Sequence, residues 1–391
     1  MEENIARKLL HWLESRREEM VDCIGRLARI ETPSTVPETH HPILTLLAES
    51  FVGVGFRARL IPGRDSGGHL LAYPADRQRQ CPIQLLLGHC DTVWPLGILD
   101  TMPLQRKDGK LYGPGVYDMK AGLVQMLFAL RALKAFDLSP PVTPVVFINS
   151  DEEIGSPESR CYITRLASLS NRVLVLEPSL GPTGRLKTAR KGVGRFTITI
   201  HGKAAHAGLN PEEGVSAILE LSHLIQALYA LNDPERGISI NVGTIDGGLR
   251  ANVVAPTSTA VIDVRVLTQR DAEAIEKAIY ALKPASPGIH LEIQGRIGRP
   301  PMERTHANRI LWDLAREGAR ELGFELEEGT AGGGSDGNTT SLYTATLDGL
   351  GAVGDGAHAA HEHIELAPLP QRTALLARLM TFPPLPPRYL P

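Results

Sequence analysis

The chain has 391 residues, more than a single hydrophobic core usually supports, so we expect two domains. Hydrophobic residues make up 42% of it and charged residues 22%, which is typical of globular proteins. The net charge of -3 gives no electrostatic reason to expect nucleic acid or a membrane as a partner. No stretch of the sequence approaches the ~20 apolar residues that a membrane helix needs.

The two ends of the chain are predicted to lie on the surface. Ile5, Leu9 and Leu13 recur at roughly helical spacing among charged residues, which predicts an amphipathic surface helix. This segment lacks the continuous apolar core of a signal peptide, so we expect a cytoplasmic protein. The proline-rich residues 382–391 are predicted to form an extended tail.

Three short apolar runs in the first half of the chain have the character of strands buried on both faces of a parallel sheet. They cover residues 83–87, 142–148 and 173–176. Between the first two, residues 119–136 carry apolar side chains at helical spacing, which makes a βαβ unit. The prediction is therefore an α/β domain whose mostly parallel sheet has helices on both faces.

The middle of the chain has a different pattern of apolar and polar residues and is predicted to be an inserted α+β domain. Its elements are expected at 196–200 (strand), 213–231 (helix), 238–245 and 258–267 (strands), 271–282 (helix) and 289–297 (strand). The order β-α-β-β-α-β is ferredoxin-like. Helix and strand patterning resumes afterwards, so we expect a discontinuous catalytic domain, 1–190 and 301–391, around an inserted domain, 191–300.

Imidazole and carboxylate groups follow each predicted strand of the first domain. They are His89 and Asp91 after the first strand, Glu152 and Glu153 after the second, and Glu177 after the third, with Asp118 at the start of the crossover helix. Taken singly, each has an ordinary interpretation, such as a half-buried histidine or a solvated acidic turn. Because sites in parallel sheets form at the carboxyl ends of strands, these groups are expected to meet. Nitrogen and oxygen ligands without thiolates suit catalytic zinc.

Seven segments stand in a fixed order along the chain: GHCDTVWPLG, LYGPGVYDMKAG, NSDEEIGS, LEPS, HGKAAHAG, GGGSDGN and GDGAHAAHE. Together they resemble the M20 family of dinuclear zinc peptidases and deacylases, over about Ile30 to Leu366. The branch they resemble most is that of folate-hydrolysing glutamate carboxypeptidases. The resemblance implies a carboxypeptidase that cuts an amide bond next to a free carboxylate and releases a C-terminal, glutamate-like residue. The alternative is an N-acyl-amino-acid deacylase of the acetylornithine or acetylcitrulline type.

The resemblance also implies a ligand set for two zinc ions, which cobalt or manganese could replace. Asp118 would bridge the ions, His89 and Glu177 would complete one site, and Glu153 and His358 would complete the other. His361 is the alternative to His358, because three histidines stand close together in this stretch.

Further roles are implied for the residues beside the ligands. Glu152 would be the general base. Asp91 would fix the tautomer of His89. The Asp118-Met119 peptide would be cis. Cys90, between His89 and Asp91, could be suspected as a nucleophile, but a packed, unreactive thiol is the expectation.

Two residues of the inserted domain are expected to assist the reaction. By the resemblance, His206 would reach the active site of a partner subunit and stabilise the oxyanion, and Asn252 would assist the same site. We therefore expect a homodimer built through the inserted domain.

Three arginines and one glycine are candidates for binding the free carboxylate of a small-molecule or short peptide substrate. Arginine pairs with carboxylates bidentately, and the candidates are Arg265, Arg185 and Arg299, with Arg296 as the alternative to Arg299. Gly333, in a run of three glycines, would line the rim of this site with its backbone, although a glycine-rich turn without a ligand fits the pattern too.

Overall fold

The computed structural model describes residues 4–78 and 80–386. Its helices are α1 (Ile5–Glu14), α2 (Arg17–Ala28), α3 (His41–Val54), α4 (Ala121–Ala135), α5 (Arg160–Leu169), α6 (Ala217–Tyr229), α7 (Gln269–Tyr280), α8 (His306–Glu321), α9 (Asp336–Thr340) and α10 (Leu369–Met380). Within the described ranges, no helix has the length and apolar character needed to cross a membrane.

The strands of the described residues form four sheets. They are β1 (Phe56–Ile61), β2 (His69–Pro74), β3 (Ile83–His89), β4 (Gln105–Lys107), β5 (Lys110–Tyr112), β6 (Thr143–Asn149), β7 (Ser170–Val175), β8 (Leu186–Arg190), β9 (Gly192–His201), β10 (Ser239–Gly247), β11 (Thr257–Val266), β12 (His290–Arg299), β13 (Glu328–Ala331), β14 (Ala345–Leu347), β15 (Gly354–Asp355) and β16 (His363–Glu365).

The chain divides into two compact units. Of the described residues, the first contains 4–78, 80–188, 304–331 and 335–386, and the second contains 189–303 and 332–334. The second unit thus interrupts the first in the sequence, and the short 332–334 segment joins it from a distant part of the chain.

The first unit is built on a six-stranded sheet with the order β1-β2-β6-β3-β7-β14. Strands β6, β3, β7 and β14 run parallel, while β2 pairs antiparallel with both β6 and β1. This confirms the predicted mostly parallel sheet. Strands β1 and β2 were not predicted. In β1, an edge strand, Arg57 and Arg59 interrupt the apolar residues.

The parallel strands read as continuous apolar runs because both of their faces are covered. Leu86 packs in a core with Leu123 and Leu127 of α4. Leu85, its neighbour, packs on the other face in a core with Ile163 of α5. Helices on both faces were predicted, and these two cores confirm them.

Both described ends of the chain pack against the first unit. Leu9 and Leu13 of α1 are fully buried in the main core while Arg7 and His11 are exposed, which confirms the predicted amphipathic surface helix. At the other end, the buried Arg172 donates hydrogen bonds to the carbonyls of Phe382 and Pro383. Residues 382–386 are therefore held in place rather than forming an extended tail. The rest of the predicted tail lies outside the described residues.

The second unit has an antiparallel sheet with the order β10-β11-β9-β12. The element order β9-α6-β10-β11-α7-β12 confirms the ferredoxin-like prediction. In β9, Phe196, Ile198 and Ile200 are buried against the two helices. Helix α6 begins at Ala217 and not at 213 as predicted, because the side chain of Ser216 accepts a hydrogen bond from the Leu219 N–H and caps it there.

Candidate metal centre

Neighbouring parallel strands bring the predicted ligands to one edge of the first unit's sheet. His89 is the last residue of β3 and pairs with Asn149, the last residue of β6. Glu153 follows β6 by four residues, and Glu177 follows β7 by two. Because β3 lies between β6 and β7, the segment after each neighbour flanks His89.

The imidazole of His89 is buried and faces carboxylates on both of its nitrogens. Nε2 lies 3.3 Å from Oδ1 of Asp118 and 3.4 Å from Oε1 of Glu177. Nδ1 lies 3.0 Å from the backbone oxygen of Asp91 and 3.4 Å from its Oδ1. A hydrogen bond from Nδ1 would leave Nε2 free to bind a metal.

The second group of predicted ligands meets on the other side of Asp118. Nε2 of His358 lies 3.1 Å from Oε2 of Glu153 and 3.6 Å from Oδ2 of Asp118. His358 has a positive φ of 61° and its side chain is about half exposed. His361 is exposed, while Nε2 of the buried His363 lies 3.1 Å from Nζ of Lys110. The structure therefore brings His358, and not its neighbours, to this group.

The two oxygens of Asp118 thus face two different histidines. This residue lies in a turn between β5 and α4, and the Asp118-Met119 peptide is cis, as the resemblance implied. The carboxylate of Glu362 accepts hydrogen bonds from the N–H groups of Gly115, Tyr117 and Asp118, at 2.9, 2.9 and 3.1 Å. These three hydrogen bonds fix the position of the turn.

Asp91 is fully buried beneath His89 and is held from several sides. It accepts hydrogen bonds from the Ser34 hydroxyl at 2.7 Å and from the Glu153 N–H at 3.1 Å. A longer bond of 3.3 Å comes from the Glu152 N–H. Asp91 therefore links the end of β3 to the segment that carries the two glutamates.

The donor set fits a site for two metal ions. His89, Glu152 and Glu177 offer ligand atoms within 4.8 Å of one another, and so do His89, Asp118 and Glu153. Oε1 of Glu153 is buried and has no hydrogen-bond partner among the described residues, as expected of an atom placed for an ion. Carboxylate and imidazole donors without a thiolate are suited to catalytic zinc. The position of Glu152 beside His89 also suits a base acting next to a metal site.

Two opposing effects determine the pKa values of these side chains: burial, which disfavours their charged forms, and hydrogen bonding between them, which favours the charged forms. Burial opposes a charge on His89, but hydrogen bonds to the surrounding carboxylates outweigh burial and raise its pKa well above its usual value. Burial raises the pKa of Glu153 to about 7, and pairing with that carboxylate raises the pKa of His358 to about 9. Protons held between such ligands are what a divalent cation displaces on binding.

Cys90 is fully buried, and burial raises the pKa of its thiol far above its usual value. A thiol of this kind stays protonated and is a poor nucleophile. Its surroundings support the expected packed, unreactive thiol.

His206 and Asn252 lie close together within the second unit. Residue 206 forms a β-bridge with Val253, and the Ala207 N–H donates a 3.0 Å hydrogen bond to the Asn252 carbonyl. Nδ1 of the exposed His206 accepts hydrogen bonds from the N–H groups of Gly208 and Leu209, at 3.1 and 3.2 Å. The proton of the neutral ring is therefore on Nε2, which makes that atom a hydrogen-bond donor.

Arg265 and the three-glycine turn are also brought together in the second unit. The guanidinium of Arg265 donates to both oxygens of Asp263, at 2.7 and 2.9 Å, and contacts the Gly332 carbonyl at 3.4 Å. The buried Arg190, which the sequence analysis did not single out, contacts the carbonyls of Gly333 and Gly334 at 3.3 and 3.2 Å. Two arginines thus hold this turn through its backbone oxygens.

The other two predicted arginines belong to different units. Arg185 belongs to the first unit, where its backbone forms a bridge with Leu180 in the turn that follows Glu177. Arg299 is half-buried at the end of β12, opposite Val193, while its alternative Arg296 is exposed on the same strand.

Glu362, Ser34 and Trp94 also contribute to the site, although none of them was predicted to have a role. The Trp94 indole N–H donates a 2.7 Å hydrogen bond to Glu362, which connects the loop after β3 to the same carboxylate. These contacts join residues that are far apart in sequence, so local patterns could not reveal them.

Comparison with known proteins agrees with the geometry. Residues 85–381 match the model of peptidase family M20/M25/M40, and the chain belongs to this family. Carboxypeptidase G2 from Pseudomonas sp. (strain RS-16) is 32% identical over 306 residues, which cover 76% of this chain and 72% of that enzyme. The protein is thus a hydrolase, an M20-type metallopeptidase or amidohydrolase, as the resemblance implied.

Two further proteins show how wide this similarity is. Succinyl-diaminopimelate desuccinylase from Delftia acidovorans is 28% identical over 359 residues, covering 86% of this chain and 92% of that enzyme. The crystal structure of the aminopeptidase PepT from Bacillus cereus has a TM-score of 0.77 at 22% identity, covering 93% of this chain and 98% of that one. The latter similarity concerns the fold alone.

Proposed function

We propose that this protein is a two-zinc carboxypeptidase that cuts an amide bond next to a free carboxylate and releases a C-terminal, glutamate-like residue. Asp118 would hold both ions, with His89 and Glu177 as the further ligands of one site and Glu153 and His358 as those of the other. The observation that carries this proposal is the position of Asp118, whose two oxygens lie 3.3 and 3.6 Å from the Nε2 atoms of two different histidines.

The chain's own residues have distinct roles in this reaction. Two bound zinc ions would supply Lewis acidity toward the carbonyl and a lowered pKa for water. Glu152 removes the proton from the attacking water and delivers it to the leaving nitrogen. Asp91 keeps His89 oriented through the Nδ1 side of the ring. The Nε2–H of His206 donates to the developing oxyanion, with Asn252 assisting.

Carboxylate recognition is assigned to arginine side chains and to the three-glycine turn. Asp263 already occupies two donors of Arg265, so this arginine has a fixed orientation and offers its remaining NH groups to the substrate. Arg185 and Arg299 are the secondary candidates. The similarity to carboxypeptidase G2 at 32% identity favours release of a C-terminal residue.

The active form is proposed to be a homodimer built through the second unit. Strand β10 is at the edge of its sheet, and α6 packs beside it. Exposed apolar side chains cluster on these elements and the following turn: Ile218 (48%), Leu219 (56%), Tyr229 (47%), Ile245 (64%) and Leu249 (73%). An edge strand with apolar neighbours is suited to pairing with a second copy of the same chain.

The alternative function is an N-acyl-amino-acid deacylase, of the acetylornithine or acetylcitrulline type. It uses the same ligands and base, because its substrates also place a carboxylate beside an amide. The 28% identity to a succinyl-diaminopimelate desuccinylase over 86% of this chain favours this alternative.

Two measurements test the proposal together. Metal analysis of protein purified without chelator should give two zinc ions per chain, and less than one would contradict the two-metal site. Initial rates on N-acyl-glutamates should exceed those on acetylated ornithine, acetylated citrulline and N-succinyl amino acids. Equal or faster turnover of the latter compounds would favour the deacylase.

Glu152→Gln is the matched catalytic variant for these assays. Because an amide cannot accept the proton, this variant should bind both metals and lose about 10²–10⁴-fold in kcat. Undiminished turnover would remove Glu152 as the base.

A further inference from the structure

The carboxylate of Glu362 is fully buried, although it follows the exposed His361 in a surface turn. Burying a carboxylate costs several kcal/mol unless hydrogen bonds compensate for the lost water. A glutamate in such a position is therefore expected to have a specific structural task.

Both oxygens of Glu362 are occupied by N–H donors. Oε1 accepts from the backbone of Tyr117 at 2.9 Å and of Asp118 at 3.1 Å. Oε2 accepts from the backbone of Gly115 at 2.9 Å and from the Trp94 indole at 2.7 Å. Three of these donors belong to the turn that carries the proposed bridging ligand, so the carboxylate determines where that turn lies.

The backbone of Glu362 belongs to the turn that carries His358. Its N–H donates to the Ala359 carbonyl at 2.9 Å, which closes the turn, and its carbonyl accepts from the Gly113 N–H at 3.2 Å. Gly356 approaches so closely that an added Cβ would lie 2.9 Å from Cα of Glu362. One residue therefore contacts both the turn of Asp118 and the turn of His358.

We propose that Glu362 is a positioning residue that couples Asp118 to His358, and that occupancy of the second metal site depends on it. This inference rests on the proposed two-metal function. The second site is the one completed by Glu153 and His358. The second site should depend more strongly on Glu362, because two of its ligands, Asp118 and His358, lie in the turns that Glu362 contacts. Only Asp118 of the first site lies in these turns.

Glu362→Gln tests this role with little change of shape. A glutamine has one acceptor oxygen and one NH₂ donor. Since each carboxylate oxygen accepts two N–H groups, either orientation of the amide places its NH₂ against two donors. The variant therefore loses two hydrogen bonds whichever way the side chain turns.

Glu365→Gln is the matched control. Glu365 lies three residues further along, is partly exposed, and has its Oε1 3.0 Å from Nζ of Lys110. The chemical change is the same, but it lies at the end of β16, where the carboxylate pairs with Lys110 and not with the turn of Asp118.

The experiment is a titration of the metal-free full chain with cobalt, in which binding is monitored by calorimetry and by visible absorption. Wild type and Glu365→Gln should bind two equivalents alike. Glu362→Gln should bind one equivalent about 10–100-fold more weakly, the usual effect of removing a partner that orients ligands. The cobalt ion that Glu362→Gln still binds tightly should have the same visible absorption spectrum as the cobalt ion bound by His358→Ala.

The other outcomes distinguish a failure of this inference from a failure of the proposed function. Two cobalt ions bound by Glu362→Gln with wild-type affinities, or both sites weakened equally, would overturn the inference. Fewer than two ions bound by the wild type would instead contradict the proposed function. If circular dichroism finds Glu362→Gln unfolded, Trp94→Phe replaces it, because it removes one donor and keeps the carboxylate. It should weaken the same site by a smaller factor, and unchanged affinity would overturn the inference.

Discussion

Nε2 of His358 lies 3.1 Å from Oε2 of Glu153. This contact joins a turn near the end of the chain to the segment after β6, and it selects one histidine from three candidates. In the metal-free protein the two side chains hold each other in place. On metal binding, these two side chains would act as ligands, and the cation would displace the proton that they share.

Replacing His358 with alanine should therefore remove one of the two proposed metal ions. The imidazole supplies a ligand that no other described histidine of this turn places beside Glu153. Metal analysis after dialysis should find about one zinc per chain and a large loss of activity, since catalysis by two metals needs both.

His361→Ala is the control, because His361 lies in the same turn but is exposed. It should retain both ions. If instead His361→Ala lost an ion and His358→Ala kept two, the ligand assignment would have to move to His361.

The sequence predicts the parts of this site that depend on local order along a strand. His89, Glu153 and Glu177 could be found because carboxyl ends of parallel strands meet at one edge. The role of Asp118 came only from the resemblance, since a turn before a helix has no single geometry. Glu362 could not be assigned at all, because its four donors lie more than 200 residues earlier in the chain.

Prediction of the fold from the sequence is likewise limited to features with a local pattern. Buried strands such as β3 are apparent from their continuous apolar residues. The edge strand β1 was missed because Arg57 and Arg59 face outward and break the pattern. The pairing of Arg265 with Asp263 could have been anticipated, since residues two apart in a strand share a face. The contact of Arg190 with the Gly333 carbonyl could not, because it depends on tertiary packing.

Subunit complementation tests whether His206 acts in a partner's active site. Glu152→Gln and His206→Ala should each be nearly inactive alone. If His206 serves the partner subunit, mixing and re-equilibrating the two should restore roughly a quarter of the sites, because half of the dimers are mixed and each has one complete site. Activity of the mixture against each variant alone is the measurement.

The control for this experiment is the same mixture without subunit exchange. It should show no gain. A fully exchanged mixture without activity would contradict a trans role, since a His206 acting within its own subunit leaves every site of a mixed dimer with one defect.

Gly333→Ala tests whether the three-glycine turn lines the substrate site. A Cβ at Gly333 would meet no atom within 4 Å, and no positive φ is required there, so the fold should tolerate it. If the turn borders the bound carboxylate, the methyl group should raise KM about 10-fold with a smaller effect on kcat. Steady-state kinetics on an acyl-glutamate is the measurement.

Gly53→Ala in α3 is the matched control, because a Cβ there also meets nothing within 4 Å. Both variants should have melting temperatures close to that of the wild type. An unchanged KM for Gly333→Ala would leave the turn without a role in substrate binding.

Glu158 should stabilise the protein in a pH-dependent way. Its carboxylate accepts hydrogen bonds from the N–H groups of Arg64 at 2.6 Å and Ser66 at 2.9 Å, in the loop between β1 and β2. Partial burial opposes the charge, but these backbone hydrogen bonds outweigh it and lower the pKa of Glu158 to about 2. Glu158→Gln should therefore cost about 1 kcal/mol at neutral pH, after allowance for solvent screening.

The sign of the pH effect follows from the lowered pKa. The stabilisation is complete above the unfolded value of 4.5 and is lost progressively as the pH falls toward about 2, because the unfolded chain takes up the proton first. The difference in melting temperature between wild type and Glu158→Gln should thus be constant from pH 7 to 5 and shrink below pH 4.5. Glu49→Gln, which changes an exposed carboxylate on α3, should differ little from wild type throughout. A difference for Glu158→Gln that stayed constant down to pH 3 would mean that the carboxylate's charge does not stabilise the loop.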